Sequence, residues 1–382
     1  MAERVAILGA GMTKLDDRKG GQKLDDMVFE ATRAALLDSG ITQKEIDSVV
    51  LVGCDEFDGR SISSMLVAAA GGSYLNDEIK VTDDGIYGVI LAAMRILSGL
   101  YDLSVIVSWC KPSEAPVSNV MNMRWDPFYH RPFGLNHIST AALMAGAYLD
   151  RYKGSDAAAA AVAVKNRANG ARNQNAHLQK SVTIDDVRSS APVSWPLRAL
   201  DCAPESDGAC ALVLASAKKT REIKQKPVWL EGFGWAVDSY YLGERDLADS
   251  PSLRVAAGMA YRQAGIENPI REIDMAEICD FTSYYELIAC EALGLCGAGG
   301  AAHLLQEGTT RREGAFPVNP SGGLLSSNPF VAAGLFRAVE VYLQVSGRAG
   351  RHQVPGVRRA LAQGSTGFCA QGNAVLILSA EG

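Results

Sequence analysis

Two carboxylates and a glycine stand at the start of an unusually apolar segment, "VTDDGIYGVILAAMRILSGL", residues 81–100. Apolar residues lie on nearly every side of the helix that this segment predicts, as in a helix buried at the centre of a domain. The positive end of a helix dipole, with its free backbone N–H groups, stabilises an anion. We therefore expect Asp83, Asp84 and Gly85 at a site that binds or forms a negatively charged group.

The elements around this helix form a pattern that occurs twice. The stretches "LLDSGITQKEIDSVVLVGCDEF" (36–57) and "YRQAGIENPIREIDMAEICDFT" (261–282) both give the end of an amphipathic helix, Gly-Ile, a polar turn, Ile-Asp, an apolar strand and Cys-Asp. A repeated unit of alternating strands and helices indicates a duplicated α/β architecture. We expect two halves, residues 1–225 and 226–382, packed as two sheets through shared central helices, the second helix beginning near "GGLLSSNPFVAAG".

A long insertion, residues about 111–200, interrupts the first half. It contains the aromatic and proline-rich "MRWDPFYHRPFGLNH" and an alanine-rich helix, "SDAAAAAVAVKNRANGARN". A long, loop-rich insertion in a compact domain is more often a binding cover than a linker. Its basic residues, Arg131 among them, suit a phosphate-bearing ligand, although a solvated surface explains any single arginine equally well.

The composition excludes several classes of protein. The 382 residues carry a net charge of -6, so the composition does not indicate the basic surface that a nucleic-acid-binding protein needs. No stretch approaches the roughly 18 continuous apolar residues of a membrane span, so we expect a cytoplasmic protein without a membrane partner. The eight cysteines include no C-x-x-C pair and the five histidines are scattered. We expect reduced, buried thiols and neither a metal nor a separate cofactor.

Four segments together carry a family resemblance: "ALDCAPESDGACALVLAS", "EICDFTSYYELIACEALGLC", "FPVNPSGGLLSSNPFVAAGLFRAVEVYLQVSGRAG" and "GFCAQGNAVLIL". In their order and over essentially the full chain they resemble the thiolase superfamily, specifically the branch around the sterol-carrier-type thiolases. The resemblance implies the duplicated, five-layered αβαβα thiolase fold, usually a tight homodimer. It also implies that the insertion is the family's loop domain over an acyl-CoA tunnel.

The residues that this family uses for covalent catalysis are missing here. Thiolases carry a nucleophilic cysteine in a C-x-x-G pattern at the start of the buried helix. Gly88 matches the glycine of that pattern, and Gly85 stands where the cysteine should be. The histidine of the family's G-H-P stretch, which activates the thiol, lines up with Asn328 in "SSNPF".

Other family positions are also altered. The histidine of the H-D-C-F stretch lines up with Cys279, and the asparagine before Glu-Leu with Tyr285, while Cys369 in "GFCAQGN" matches the acid/base cysteine. The resemblance and the residues together give these candidates, for catalysis Tyr285, Asp84, Asn328, Cys279 and Cys369, and for ligand binding Gly85, Gly88, Arg131, Gly323 and Gly372.

These changes favour chemistry without an acyl-enzyme, because a glycine has no side chain to carry an acyl group. Glycine-rich turns and backbone amides can still hold a thioester enolate. We predict a carbon–carbon lyase that cleaves a β-hydroxyacyl-CoA by a retro-aldol reaction, with CoA as part of the substrate. Thiolase-like aldolases that shorten steroid side chains resemble this pattern, which implies a small partner subunit made of a zinc ribbon and an OB-fold.

Two other functions stay open on the sequence alone. The chain could be a catalytically silent thiolase-like scaffold of an acyl-CoA-processing complex, or a thiolase with Cys369 or Cys279 as a displaced nucleophile. Structural roles also compete with the catalytic ones. One of the two aspartates is expected to cap the helix, Asn328 could be only a cap, and buried cysteines are usually inert. Tyr240 and Tyr241 form a second candidate tyrosine pair.

Overall fold

The computed structural model describes residues 4–82, 84–223 and 225–381. Within these residues the strands form one nine-stranded mixed sheet and one short hairpin. The strands are β1 (Val5–Met12), β2 (Ser48–Val52), β3 (Asp77–Val81), β4 (Leu103–Cys110), β5 (Pro192–Ser194), β6 (Leu197–Arg198), β7 (Gly208–Ser216), β8 (Val228–Val237), β9 (Met275–Glu277), β10 (Arg359–Thr366) and β11 (Gly372–Ser379).

The α-helices are α1 (Leu24–Ser39), α2 (Asp55–Asp58), α3 (Ser64–Val67), α4 (Gly85–Leu97), α5 (Val117–Met123), α6 (His137–Arg151), α7 (Ser155–Gly170), α8 (Ile184–Ser189), α9 (Ala217–Thr220), α10 (Pro251–Ala264), α11 (Pro269–Glu272), α12 (Ser283–Ala292), α13 (Ala301–Gln306), α14 (Gly323–Ser326) and α15 (Ala333–Val345). None of these described helices is both long enough and apolar enough to cross a bilayer.

The order of strand pairing repeats, which confirms the predicted duplication. In the sheet order β3-β2-β4-β7-β1-β8-β11-β10-β9, strand β2 is parallel to β3 and β4, and β4, β7 and β1 follow as antiparallel neighbours. In the second half β9 is parallel to β10, and β10, β11 and β8 follow as antiparallel neighbours. Val318 makes an isolated parallel bridge to Ala276 of β9, in the position that β3 occupies beside β2.

One detail of the sheet differs from the sequence-based expectation of two separate sheets. Strands β1 and β8 pair at two positions, Ala6 with Trp229 and Ile7 with Val228, and this pairing joins the halves along one edge. The two half-sheets are therefore continuous with each other beside the central helices.

The five layers follow from which helices contact which strands. Helix α1 packs on β1, β4 and β7 of the first half, and α10 packs on β8 and β11 of the second. Helices α4 and α15 contact each other and strands of both halves, so they form the central layer. This arrangement confirms the αβαβα thiolase fold, with the apolar segment 85–97 at its centre as predicted.

The insertion between β4 and β7 is more regular than the loop-rich cover expected from its prolines and aromatics. It contains α5 to α8 and the β5–β6 hairpin. The alanine-rich α7 carries polar residues at helical spacing, which bind the second half. Lys165 Nζ donates to Val318 O at 2.8 Å, and Asn169 Nδ2 donates to Asn319 O at 2.9 Å. These bonds fix α7 to the body of the protein.

Candidate active site

A cleft of about 920 Å³, part of it open to solvent, lies where the two central helices begin. Both halves and the insertion contribute to its walls. Its polar lining includes Asp84 at the start of α4, Asn328 before α15, Cys279 after β9, Cys369 in the loop after β10, and Arg124 and His137 from the insertion. Four of the five predicted catalytic residues therefore line one cleft, although they are scattered over the sequence.

Asp84 links the first turns of both central helices. It is the N-cap of α4, and its Oδ1 accepts the backbone N–H of Ile86 at 3.0 Å. Its Oδ2 accepts the backbone N–H of Gly334 in α15 at 2.7 Å. A Cβ atom added at Gly334 or Gly364 would lie less than 2 Å from the same carboxylate, so two glycines leave the space that it fills. The neighbouring candidate Asp83 lies outside the described residues.

Gly85 lies against Leu335 where the two central helices meet. A Cβ atom added there would lie 2.5 Å from both the backbone nitrogen and the Cβ of Leu335 in α15. Such a contact with backbone requires the helices to move apart. A similar Cβ at Gly88 would lie 2.4 Å from a methyl group of Val52. Neither glycine lines the cleft, and both allow α4 to pack closely on its neighbours.

Asn328 presents a hydrogen-bond donor to the cleft. Its backbone N–H donates to Ser206 Oγ at 3.1 Å, and its side-chain Oδ1 accepts the backbone N–H of Phe330 at 3.0 Å. Because Oδ1 is held by the Phe330 backbone N–H, the Nδ2 end of the amide points away from that backbone. The Nδ2 group has no hydrogen-bond partner among the described residues, so it is available to an oxygen atom of a ligand.

The two cleft cysteines are protonated thiols at neutral pH. Cys279 Sγ donates to Gln363 O, and Cys369 Sγ donates to Thr140 O, each at 3.3 Å. Burial raises the pKa of Cys279 well above its ordinary value and raises that of Cys369 to about 12. The thiolate is the nucleophilic form of cysteine. Neither side chain is therefore activated for acyl transfer.

The loop that carries Cys369 has a strained backbone. Cys369 and Ala370 have φ values of 52° and 49°, in the left-handed region that non-glycine residues rarely adopt. Arg245 donates to the carbonyl oxygens of Phe368 at 2.9 Å and of Cys369 at 2.5 Å, and Asn373 Nδ2 donates to Ala370 O at 2.9 Å. Strain of this kind persists where the surroundings enforce it, and it occurs often at functional sites.

Tyr285, the fifth predicted catalytic residue, does not line the cleft. It is 1% exposed, and its hydroxyl donates to Asn373 Oδ1 at 3.1 Å. Its ring stacks on Phe281, a lining residue, with a centroid distance of 4.3 Å. Burial raises the pKa of the hydroxyl above its ordinary value. The geometry places Tyr285 behind the wall, where it supports Asn373, and its catalytic role stays a prediction.

The remaining predicted ligand residues also lie outside the lining. The Arg131 guanidinium donates to the carbonyl oxygens of Met123 at 2.6 Å and of Trp125 at 2.7 Å, within the insertion. Gly323 has a φ of 62°, and a Cβ there would meet the Asp280 carboxylate at 2.2 Å. Gly372 is packed against the ring hydroxyl of Tyr87. Their roles in ligand binding stay predictions.

The second tyrosine pair belongs to an aromatic group beside the cleft. Tyr240 Oη accepts the backbone N–H of Asp126 at 2.6 Å, and its ring packs edge-on against that of His130 with a centroid distance of 5.6 Å. The Tyr241 ring stacks on the same histidine, also with a centroid distance of 5.6 Å. Trp125 connects the group to the cleft by stacking on the lining residue Phe368 at 3.9 Å.

A buried carboxylate lies beneath the wall at the start of α14. The Asp280 oxygens accept the backbone N–H of Leu324 at 2.5 Å and the Nδ2 of Asn166 at 2.7 Å. Burial first, and the charge of Glu286 second, raise the pKa of Asp280 to about 8. Lys165 lies 2.8 Å from Glu286 and compensates that charge. This group joins α7 to the second half of the protein.

Sequence reasoning missed His137, the first residue of α6. Its ring lines the cleft and packs edge-on against Phe330, with a centroid distance of 5.7 Å. Burial lowers the pKa of the imidazole to about 4, so the ring is neutral at pH 7. The residue before it, Asn136, is the N-cap of α6, and an asparagine in this position indicates the start of a helix. Nothing local in the sequence indicates that the ring faces the cleft.

Residues 5–218 match the family described as "Thiolase, N-terminal domain", and residues 234–380 match "Thiolase C-terminal domain-like". An acetyl-CoA acetyltransferase from Methanothermobacter thermautotrophicus is 29% identical over 92% of this chain and 93% of its own length. A 17-hydroxy-3-oxo-4-pregnene-20-carboxyl-CoA lyase from Mycobacterium tuberculosis is 28% identical over 85% of this chain and 87% of its own length.

A solved structure described as an "Ltp2-ChsH2(DUF35) aldolase" aligns with a TM-score of 0.85 and 25% identity, covering 98% of this chain and 97% of that one. The two family matches account for both halves of the molecule, and the relatives align over most of its length. The central helix pair and the repeated strand order agree with these matches, and the chain therefore belongs to the thiolase superfamily.

Proposed function

We propose that this protein is a carbon–carbon lyase that cleaves a β-hydroxyacyl-CoA by a retro-aldol reaction, without an acyl-enzyme. The observation that carries the proposal is the contact between Gly85 and Leu335. The position of the family's nucleophile has no room for a side chain, since a Cβ would lie 2.5 Å from backbone of α15. The cleft nevertheless keeps a free hydrogen-bond donor, the Nδ2 group of Asn328 before α15, and such a donor suits an enolate.

The reaction needs one base and one group that stabilises negative charge. The base removes the proton from the β-hydroxyl, the Cβ–O bond becomes a carbonyl, and the Cα–Cβ bond breaks. The electron pair of that bond passes into the thioester as an enolate, which then takes a proton at Cα. The products are a carbonyl compound and an acyl-CoA shortened by the atoms of that compound. No bond to the protein forms at any step.

Asn328 is our candidate for holding the enolate oxygen. Its Oδ1 is occupied by the Phe330 amide, so its Nδ2 is the end available to the cleft. A donor aimed at developing negative charge typically contributes a factor of about 10²–10³ to the rate. Arg124, which lines the cleft from the insertion, is a better candidate than Arg131 to approach a phosphate of the substrate.

We also propose a small partner subunit made of a zinc ribbon and an OB-fold, bound to a homodimer of this chain. The support is the similar aldolase structure, whose description pairs Ltp2 with ChsH2(DUF35). The steroid-derived CoA lyase among the relatives supports a substrate with a large, branched acyl group. The acetyl-CoA acetyltransferase relative keeps acyl transfer as the competing activity to be tested.

The test is product analysis with a panel of β-hydroxyacyl-CoA thioesters, including short-chain, tertiary and steroid side-chain members. The chain is assayed alone and with the zinc-ribbon/OB-fold subunit, and mass spectrometry measures the shortened acyl-CoA and the carbonyl product. Thiolysis of a β-ketoacyl-CoA by free CoA is measured in parallel. Cleavage of a β-hydroxyacyl-CoA without thiolysis is expected. If no member is cleaved even with the partner, the silent-scaffold function replaces this one.

A further inference from the structure

The cleft contains a histidine that corresponds to none of the family positions identified from the sequence. Among the five histidines of the chain, all of them in the described residues, His137 is the one that lines the cleft. It comes from the insertion, whereas the two lost histidine positions lie at Asn328 and Cys279 in the second half. The insertion therefore brings an imidazole to a cleft whose own histidine positions are occupied by other residues.

The same residue positions His137 and Asn328. The Phe330 ring packs edge-on against the His137 ring, at 80° and 5.7 Å between centroids, while the Phe330 backbone N–H binds Asn328 Oδ1. Phe330 therefore contacts both the His137 ring and the Asn328 side chain, and it fixes the two groups relative to each other. The hydroxyl on Cβ and the thioester oxygen on the carbonyl carbon of a substrate are separated by Cα alone, so they require two such groups close together.

The imidazole is available for proton transfer. Its Nδ1 is buried and makes no hydrogen bond with any described residue. Most buried polar groups in native structures are paired, so an unpaired ring nitrogen in a cleft points to a ligand. The only cause that shifts the pKa of His137 to about 4 is burial, which leaves the ring neutral and able to accept a proton.

The other titratable groups of the cleft are less suited to act as the base. Asp84 uses both carboxylate oxygens to accept backbone N–H groups. Cys279 and Cys369 are protonated, and the side chain of Arg124 offers hydrogen-bond donors and no acceptor. A base with a pKa near 4 is weak in the empty cleft, but negative charge developing on the substrate beside it favours the imidazolium.

We propose that His137 is the general base of the cleft, a proposal that rests on the lyase function above. The neutral imidazole accepts the proton of the β-hydroxyl as the Cα–Cβ bond breaks and its electron pair passes into the enolate. The imidazolium then gives a proton to Cα, which restores the neutral ring. The same group, acting in reverse on the product, removes a proton from Cα of a simple acyl-CoA.

This reverse step gives a test that does not depend on the identity of the β-hydroxyacyl chain. Propionyl-CoA is incubated in D₂O with the chain, alone and with its partner subunit, and mass spectrometry follows the entry of deuterium at Cα. The variants are His137→Ala and His137→Gln. The matched control is His303→Gln, since the His303 side chain is 71% exposed on α13.

The wild type and the His303→Gln variant are expected to exchange at equal rates. The His137 variants should be slower by about 10²- to 10⁴-fold, the usual contribution of a positioned acid/base. Added imidazole should restore part of the exchange in His137→Ala, an effect that a merely structural role would not give. Exchange within tenfold of wild type in both variants would overturn the proposal, as would a wild type that does not exchange at all.

Two further outcomes separate this proposal from the lyase function. If exchange depends on His137 but no β-hydroxyacyl-CoA is cleaved, the proposed lyase function is wrong, while the role of His137 as a general base is supported. If cleavage proceeds in His137→Gln at the wild-type rate, the lyase function stands and the base is wrong. Thermal unfolding of each variant checks the fold, because His137 begins α6. A folded His137→Ala that imidazole does not rescue counts against a base role.

Discussion

Asp84 accepts the backbone N–H of Gly334 at 2.7 Å, although the two residues are 250 positions apart in the chain. The same carboxylate caps α4 through Ile86. One side chain thus ties the N-termini of the two central helices together at the wall of the cleft. Asp84 therefore fixes the two halves relative to each other at the site where thiolases carry their catalytic residues.

Asp84→Ala should destabilise the protein strongly. It leaves two buried N–H groups unpaired, each costing about 1–3 kcal/mol, and it removes an N-cap. Asp84→Asn should recover only part of this stability, because an amide has one acceptor oxygen and would turn its NH₂ toward the second N–H group. Unfolding in urea measures the change.

The matched control for Asp84 is Thr183→Ala, which removes the N-cap of α8 at an exposed position. That change should cost about 0.5–1 kcal/mol, as ordinary caps do. A loss in Asp84→Ala no larger than in the control would show that the bond to Gly334 contributes nothing.

Gly85→Cys should disrupt the packing of the central helices rather than restore a nucleophile. The new Cβ meets backbone of Leu335, which cannot rotate away, and overpacking of this kind typically costs about 1–3 kcal/mol or more. Gly243→Cys is the control, because a Cβ there has nothing within 4 Å. Equal unfolding midpoints for the two variants, or a Gly85→Cys protein that forms an acyl adduct, would contradict this account.

The fold was predictable from the sequence because it depends on patterns that repeat along the chain. The Gly-Ile and Cys-Asp units predicted the duplication, and the apolar helix beginning at Gly85 predicted a buried centre. Capping chemistry is also local, so the sequence predicted an aspartate N-cap at Asp83 or Asp84, and the structure shows that it is Asp84. Its second bond, to Gly334, depends on how two distant helices meet, and no local pattern encodes that.

The candidate site was predictable where a helix start or a family position indicated it. Asn328, Cys279 and Cys369 line the cleft as family alignment suggested, whereas Tyr285 lies behind the wall. A side chain that is buried behind the cleft wall gives the same sequence pattern as one that lines the cleft. His137 was missed for the opposite reason, since it comes from the insertion, where the sequence gives helix boundaries but not the direction of a ring.

Neither cleft cysteine should form an acyl-enzyme. Their raised pKa values, about 12 for Cys369, mean that the thiolate fraction at pH 7 is negligible and grows only in strongly alkaline buffer. Intact mass after incubation with an acyl-CoA should show no stable adduct, and Cys369→Ser should keep lyase activity within tenfold. An adduct that maps to Cys369 or Cys279 would support the displaced-nucleophile thiolase instead.

Tyr285→Phe should reduce lyase activity by less than tenfold. The hydroxyl donates to Asn373 behind the cleft wall, and Asn373 Oδ1 keeps a second donor, Gln363 Nε2 at 2.8 Å. One neutral hydrogen bond contributes about 0.5–1.5 kcal/mol to stability. Asn373→Leu should be more harmful, since it also releases Ala370 O in the strained loop. A loss of 10²-fold or more in folded Tyr285→Phe would assign the base role to Tyr285.

The chain should form a homodimer through the free edge of β3. In the described sheet β3 pairs with β2 alone, and an unpaired edge strand is a template for another chain. Apolar side chains cluster close to it along the sequence, with Met65 79%, Leu75 87% and Ile79 37% exposed. A monomer rarely leaves so many apolar groups exposed together.

Ile79→Lys tests this edge directly, because it places a charge on β3 where a partner strand would pack. The control is Val255→Lys, which changes an apolar side chain of comparable exposure on α10, at the opposite layer of the fold. Light scattering at micromolar concentration should give twice the mass of one chain for the wild type and the control, and a lower mass for Ile79→Lys. A wild type that is monomeric both alone and with its partner subunit would rule the dimer out, and an Ile79→Lys dimer as stable as the control would move the interface to another face.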